Sequence, residues 1–296
     1  MHFIKYNNCI CTGNCGGYIY IYNEDTYLPV LKIKGLKGNV CAISSGVKTR
    51  SFITGCSDST ARIWKINYHY AAKFIELKGH NAAVWAVAAL PHIGRSLTGS
   101  ADKTIIIWNK RGENERLIFG HTGCIRQLIS FDKKLFVSGG DDSVIRVWNE
   151  DGDCVKELFG HRNSINYIEQ HSVSGSNIIV SSGADSSLRM CDIKSGTELG
   201  SPIVHPAESV WSVACLSNGD IITGCSDGVV RVFTKDPKNY ASEDVLKAFD
   251  AAVSIRKAEI NETVGGVKKP ELPGPEALLS NGKQEGDNLM VRYCHI

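Results

Sequence analysis

Histidine, serine or threonine, and aspartate recur together in this chain, and that trio is the equipment of nucleophilic acyl transfer. The sets are His80, Thr98 and Asp102; His121, Ser138 and Asp142; His161, Ser181 and Asp185; and His205, Thr223 and Asp227. A hydrolase needs one set, with its nucleophile raised on a strained turn. Four sets at regular spacing argue for a structural device copied along the chain. The run CICTGNC brings Cys9, Cys11 and Cys15 together, but it lacks the C-x-x-C spacing of a zinc site and has no second cluster at finger distance. No phosphate loop, dinucleotide fingerprint or HExxH motif is present. The residues that could do chemistry therefore point to a non-enzyme without metal or cofactor.

The elements that carry those residues follow a repeat. The segments ending at Tyr22, Trp64, Trp108, Trp148, Cys191 and Phe233 share one frame, with spacings of 42, 44, 40, 43 and 42 residues. A period near 42 fits a four-stranded propeller blade. Within each copy an apolar strand, a tight Gly-, Ser- and Asp-rich turn and a second apolar strand precede the marker, as in SLTGSADKTIIIW and LFVSGGDDSVIRVW. Helical periodicity is absent through residue 233. The expected fold is all-β, with about six blades.

These copies resemble the WD-repeat family. The resemblance rests on Gly79-His80, Thr98, Asp102 and Trp108, and on His121, Ser138, Asp142 and Trp148. It implies a buried hydrogen-bonded chain from Trp to Ser/Thr to His to Asp inside each blade. Side-chain chemistry suits that order. Trp only donates, the hydroxyl donates and accepts, His does one at each nitrogen, and Asp accepts. Other copies depart from the pattern. Leu36 stands for the His before Trp64, Gly16 for the first Asp, and Cys191 and Phe233 for Trp.

Longer segments, AAVWAVAALPHIGRSLTGSADKTIIIW, SNGDIITGCSDGVVRVFTKD and ELPGPEALL, resemble the phospholipase A-2-activating protein family of ubiquitin-binding adaptors. That resemblance implies a seven-bladed propeller, a PFU domain, and a PUL domain that docks on the valosin-containing AAA ATPase. Set against that order, the sequence is expected to lack the first blade and the PUL domain, and NLMVRYCHI reads as a truncated PFU-like start. The expectation is a propeller over 1–235 that is open or strained, with no inner strand in its first unit and no outer strand in its last.

The surface implied is one rim of the propeller channel. Counted from the loop histidines, Trp85, Arg126 and Asn166 lie five residues on and Trp211 six, which places them there, with Asp141 in a tight turn and Glu208 as a further acid. Exposed Trp and Arg are frequent interface anchors. The competing reading packs Trp85 and Trp211 between blades. The expected partner is ubiquitin or its conjugates; the alternative is a generic scaffold for another protein or peptide.

Composition agrees with a protein-binding role. The formal net charge is +2, from 33 basic and 31 acidic residues without a basic cluster, so nucleic acid is not expected. No apolar run reaches membrane-span length, and no signal-peptide segment opens the chain. Eleven cysteines read as reduced, mostly buried thiols of a cytoplasmic and nuclear protein. Ser242 and Glu243, followed by Val245, Leu246, Ala248 and Phe249, predict a capped amphipathic helix within 236–260. Its alternative is a frayed linker. Prolines 270, 273 and 275 predict a flexible linker over 261–296.

Overall fold

A computed structural model describes residues 2–6, 9–34, 36–48, 51–66, 72–171, 177–262 and 290–294. The chain forms two compact units, residues 1–159 and 160–296. The linker expected over 261–296 lies outside the described residues except for 261–262 and 290–294.

Unit 1 holds four antiparallel sheets, each running in chain order from an inner to an outer strand. The first is β1 (His2–Tyr6), β2 (Cys9–Gly13), β3 (Tyr18–Asn23) and β4 (Pro29–Lys34). The second is β5 (Val40–Ser45), β6 (Ser51–Cys56), β7 (Thr60–Ile66) and β8 (Ala72–Lys78). The third is β9 (Val84–Leu90), β10 (Arg95–Ser100), β11 (Ile105–Trp108) and β12 (Asn114–Ile118). The fourth is β13 (Ile125–Phe131), β14 (Leu135–Gly140), β15 (Ile145–Asn149) and β16 (Cys154–Leu158).

In unit 2 the fifth sheet has β17 (Ile165–Gln170), β18 (Ile178–Gly183) and β19 (Ser187–Asp192). Its outer edge is split into β20 (Thr197–Glu198) and β21 (Ile203–Val204), both paired with β19. The sixth sheet has β22 (Val210–Cys215), β23 (Ile221–Cys225), β24 (Val230–Thr234) and β25 (Met290–Cys294). A helix, α1 (Glu243–Glu262), follows β24 in the chain.

Two strands correct the sequence reading. His2–Tyr6 supplies the inner strand of the first sheet, in register with Cys9–Gly13. Met290–Cys294 supplies the outer strand of the sixth, in register with Val230–Thr234. Neither first nor last sheet is short of a strand. The first lies upstream of any repeat landmark, and the second pairs across more than fifty intervening residues, so no local pattern reveals it.

Alternation within single strands explains the core. Ile105 and Ile107 pack toward the fourth sheet with Leu97, Ile125, Phe136 and Trp148. Ile106 and Trp108 pack toward the second with Ile53, Leu77 and Val87. Successive side chains of a strand point to opposite faces, so a strand buried on both sides reads as an unbroken apolar run. The same sandwiching joins Val180, Leu188 and Val204 of the fifth sheet to Val213, Ile221 and Phe233 of the sixth. Phe249 and Val253 of α1 join that last cluster, with Leu246 against its margin. The backbone N–H of Leu246 donates to Ser242 O at 3.0 Å, which places Ser242 at the helix start, as its sequence context predicted.

Candidate interaction surface

The polar sets lie inside the sheets. Trp108 Nε1 donates to Thr98 Oγ1 at 2.8 Å, and Thr98 lies 2.7 Å from His80 Nε2. His80 Nδ1 is 2.9 Å from Asp102 Oδ2. Thr98 has one hydroxyl proton and has already accepted from Trp108, so it donates to Nε2, and Nδ1–H donates to Asp102. Burial lowers the His80 pKa despite the pull of Asp102, which keeps the ring neutral in this role. Burial pushes Asp102 upward, but hydrogen bonds from Thr104 and the Asn81 backbone outweigh it and hold the carboxyl below its usual range.

The second set repeats this geometry. Trp148 Nε1 donates to Ser138 at 2.7 Å, Ser138 meets His121 Nε2 at 2.7 Å, and His121 Nδ1 meets Asp142 Oδ2 at 2.8 Å. In the fifth sheet His161 joins Ser181 at 2.8 Å and Asp185 at 3.0 Å, with Cys191 in the Trp place. In every case the hydroxyl is enclosed by its own sheet; Thr98 and Ser138 are fully buried. Such a hydroxyl cannot meet a substrate, and the arrangement can only brace a turn against a strand.

The sixth sheet departs from the expected set. His205 meets Thr223 at 3.0 Å, but Asp227 turns to Arg231, with Oδ2 2.6 Å from Nη2. His205 Nδ1 is left buried without a hydrogen-bond partner. Burial, then the Arg231 charge, push its pKa down to about 4. Arg231 takes both carboxylate oxygens of Asp227, at 3.2 and 2.6 Å, and draws the carboxylate away from the ring. In the first sheet Asn14 replaces the turn aspartate: its Oδ1 accepts from Gly16 N and Tyr18 N at 2.9 and 3.0 Å.

A buried arginine series went unread in the sequence. Arg62 and Arg146 pair across strands with Glu76 and Glu157 at 3.0 and 2.8 Å. Arg189 pairs with Glu198 at 2.8 Å and Arg231 with Asp227 at 2.6 Å. The signal was present, since each Arg stands two residues before its marker in ARIW, IRVW, LRMC and VRVF. All four are buried and serve the sheet.

The residues expected at the rim have a common local origin. In five inner strands the ladder skips one residue. Val84 pairs with Ser100 and Ala86 with Gly99, so Trp85 is the extra residue of a β-bulge. The same slip isolates Cys41, Arg126, Asn166 and Trp211. A bulge re-aims one side chain away from the pleat. Trp85 is 40% exposed and Trp211 56%, so neither is packed between sheets. Cys41 belongs to this set, and the offset rule overlooked it because its copy lacks the Gly-His landmark.

Within unit 1 the structure brings three of the expected residues together. The Arg126 guanidinium lies 5.2 Å from the Trp85 ring centroid, and its Nε meets Asp141 Oδ1 at 2.5 Å. The carboxylate fixes the guanidinium and the guanidinium backs the indole, leaving an ordered aromatic face partly in water. Within unit 2 the Asn166 amide donates to Val210 O at 3.0 Å, next to Trp211 in the chain. Glu208 is largely exposed, and its carboxylate lies 4.0 Å from Arg256 of α1.

Five matches to the WD domain, G-beta repeat, cover residues 29–65, 73–109, 112–149, 152–192 and 196–234. The chain belongs to the WD-repeat family. The WD40 β-propeller domain of Doa1 superposes with a TM-score of 0.71 at 30% identity, over 81% of this chain and 80% of that one. The ubiquitin homeostasis protein lub1 of Schizosaccharomyces pombe is 39% identical over 334 aligned residues, 96% of this chain. The phospholipase A-2-activating protein of Xenopus laevis is 36% identical over 96% of it. The ubiquitin fusion degradation protein 3 homolog of Caenorhabditis elegans is 30% identical over 85% of it. The WD-repeat chain spans 40%, 34% and 31% of the lengths of these curated relatives, in the same order. Among the described residues no helix is long and apolar enough to cross a membrane, and no group of three or more His, Cys, Asp or Glu is placed to hold a metal ion.

Proposed function

We propose that this WD-repeat chain is a non-catalytic adaptor that binds ubiquitin through the bulge residues of its inner strands, in cytoplasmic and nuclear protein turnover and sorting. The observation that carries the reading is the pair of tryptophans, Trp85 and Trp211, presented at equivalent bulge positions and exposed. Large, rigid aromatics at a well-ordered site are the usual anchors of protein recognition. The names of lub1 and of the ubiquitin fusion degradation protein 3 homolog, relatives whose alignments cover most of the chain, support ubiquitin as the ligand. Asp141 and Glu208 suit a partner with basic residues around an apolar patch. The family resemblance would place any contact with the valosin-containing AAA ATPase on a PUL domain and not on these residues.

Recognition of this kind is weak, roughly micromolar or weaker. In a titration of isotope-labelled ubiquitin followed by NMR, Trp85→Ala and Trp211→Ala are each expected to weaken binding about tenfold, ~1.4 kcal/mol. Unchanged shifts and affinity in both variants would mean that neither tryptophan takes part in ubiquitin binding. If wild type leaves the ubiquitin spectrum unmoved, the generic scaffold reading takes its place.

A further inference from the structure

Five of the eleven cysteines lie in the first two sheets, and all ten whose side chains are described are free thiols. Two of them occupy positions that other sheets use for the interaction surface. Cys15 stands in the tight turn between β2 and β3, where the other sheets carry Ser57, Ala101, Asp141, Ala184 and Ser226. Cys41 is the bulge residue of β5. The backbone ties these places together: Val40 N donates to Asn14 O at 3.1 Å. Each cysteine is thus one residue along from the same hydrogen bond. In the fourth sheet a turn side chain and a bulge side chain meet, Asp141 and Arg126; Cys15 and Cys41 hold the same two kinds of place in adjacent sheets. Cys15 is exposed, and Cys41 is partly buried with its thiol 3.5 Å from Asn39 O.

We propose that Cys15 and Cys41 are a redox pair that closes to a disulfide on exchange with a small-molecule disulfide such as oxidised glutathione. This holds whether or not the surface binds ubiquitin. Exposure makes Cys15 the entry point. Its thiolate attacks one sulfur of the oxidant, the oxidant's S–S bond breaks, and one thiol leaves carrying the proton that Cys15 gave up. Cys41 then attacks Cys15 Sγ and expels the second thiol with its own proton. Two protein thiols are oxidised and one disulfide is reduced to two thiols. Burial, with Cys56, Cys15 and Asp58 nearby, pushes the Cys41 pKa up to about 11. That disfavours Cys41 as the first nucleophile and gives it the resolving role. Closure requires the two Cα atoms to stand within about 7 Å. The turn also lies close against the segment that leads into β5: a Cβ at Gly17, which sits at φ +72°, would meet Leu36 O and Gly38 O at 2.6 and 2.9 Å.

The bond would fasten the first sheet to the second and withdraw the thiol from the bulge series. No other turn of the described residues offers a cysteine at the equivalent place.

The experiment treats the full reduced chain with oxidised glutathione, blocks remaining thiols with N-ethylmaleimide and digests with trypsin. Cys15 falls in the peptide 6–32, Cys41 in 38–48 and Cys56 in 51–62. The expected product joins 6–32 to 38–48, with fragment ions placing the bond at Cys15. It should exceed any link to Cys9, Cys11 or Cys56 by at least about tenfold. Cys41→Ser should halt Cys15 at its glutathione mixed disulfide, and Cys15→Ser should abolish the link while circular dichroism shows the fold intact. Cys15 in the wild type carrying glutathione alone, or Cys41 joined to Cys56, overturns the proposal.

Discussion

Trp108→Ala is expected to lower the unfolding free energy by about 3–5 kcal/mol, the range for a large aromatic removed from a packed core. Two losses coincide at this position. The indole fills the seam between the second and third sheets, against Ile53, Leu77 and Val87, and the chain around it relaxes only partly. Its Nε1–H also caps the buried Thr98 hydroxyl at 2.8 Å, and an unmade hydrogen bond inside a sheet costs about 1–3 kcal/mol. Urea unfolding followed by circular dichroism measures the difference. Trp108→Phe separates the two terms, because it keeps most of the volume and removes only the donor. It should recover more than half of the loss. Equal losses in the two variants would assign the whole effect to the hydrogen bond and refute the packing argument.

The same seam shows why much of this fold is legible in sequence. A central strand with both faces covered must be apolar at every position, and IIIW is. The Asp of each tight turn is legible because it does two things at once. Asp102 Oδ1 accepts from Thr104 N and Oγ1 to close the turn, while Oδ2 receives the His80 proton. A residue type that satisfies both demands leaves little freedom, so the copies stay alike. The bulge residues are different. The bulge is a property of register, and the slip places Trp, Arg, Asn or Cys in the same geometry without constraining which. An offset of five or six residues from the loop histidine reaches four of them; Cys41 has no such landmark, because Leu36 stands in the histidine place. Arg126 meets Asp141 within one repeat, but its contact with Trp85 crosses from the fourth sheet to the third, and no single repeat contains it.

His205 marks the opposite failure. All three residue types of the set are present, yet Asp227 binds Arg231 and not the ring. A motif lists what could bond, and a competing charge with a closer approach decides what does. An arginine two residues before the marker sits within reach of the turn carboxylate, and in the fourth sheet the same arginine shares Asp142 with the histidine. In the sixth sheet Arg231 takes both Asp227 oxygens, at 3.2 and 2.6 Å, and the histidine goes without.

That shared carboxylate gives the second large effect. Asp142 receives His121, the Thr122 N–H at 3.1 Å, and Arg146, whose Nη1 is 2.7 Å away. Burial raises its pKa, but His121 first and then Arg146 and the backbone more than compensate and hold it well below the usual carboxylate range. Arg146 is itself buried. Asp142→Asn removes the negative charge and keeps the shape, which leaves a guanidinium with only Glu157 for compensation and presents an amide N–H to the imidazole. Breaking a buried pair from one side costs about 3–5 kcal/mol; the surviving Glu157 contact places the expected loss near the lower figure. The pH dependence fixes the mechanism. A carboxyl whose folded pKa lies below its unfolded value of about 3.9 contributes its full stability above that value and loses it as pH falls through the folded one. Wild type and Asp142→Asn should therefore differ by a constant amount from pH 7 to pH 5 in urea melts, and the gap should narrow in acid below about pH 4. A gap that stays constant into strong acid would mean that Asp142 acts by shape and hydrogen-bond count alone, and that its charge contributes nothing to holding the fourth sheet.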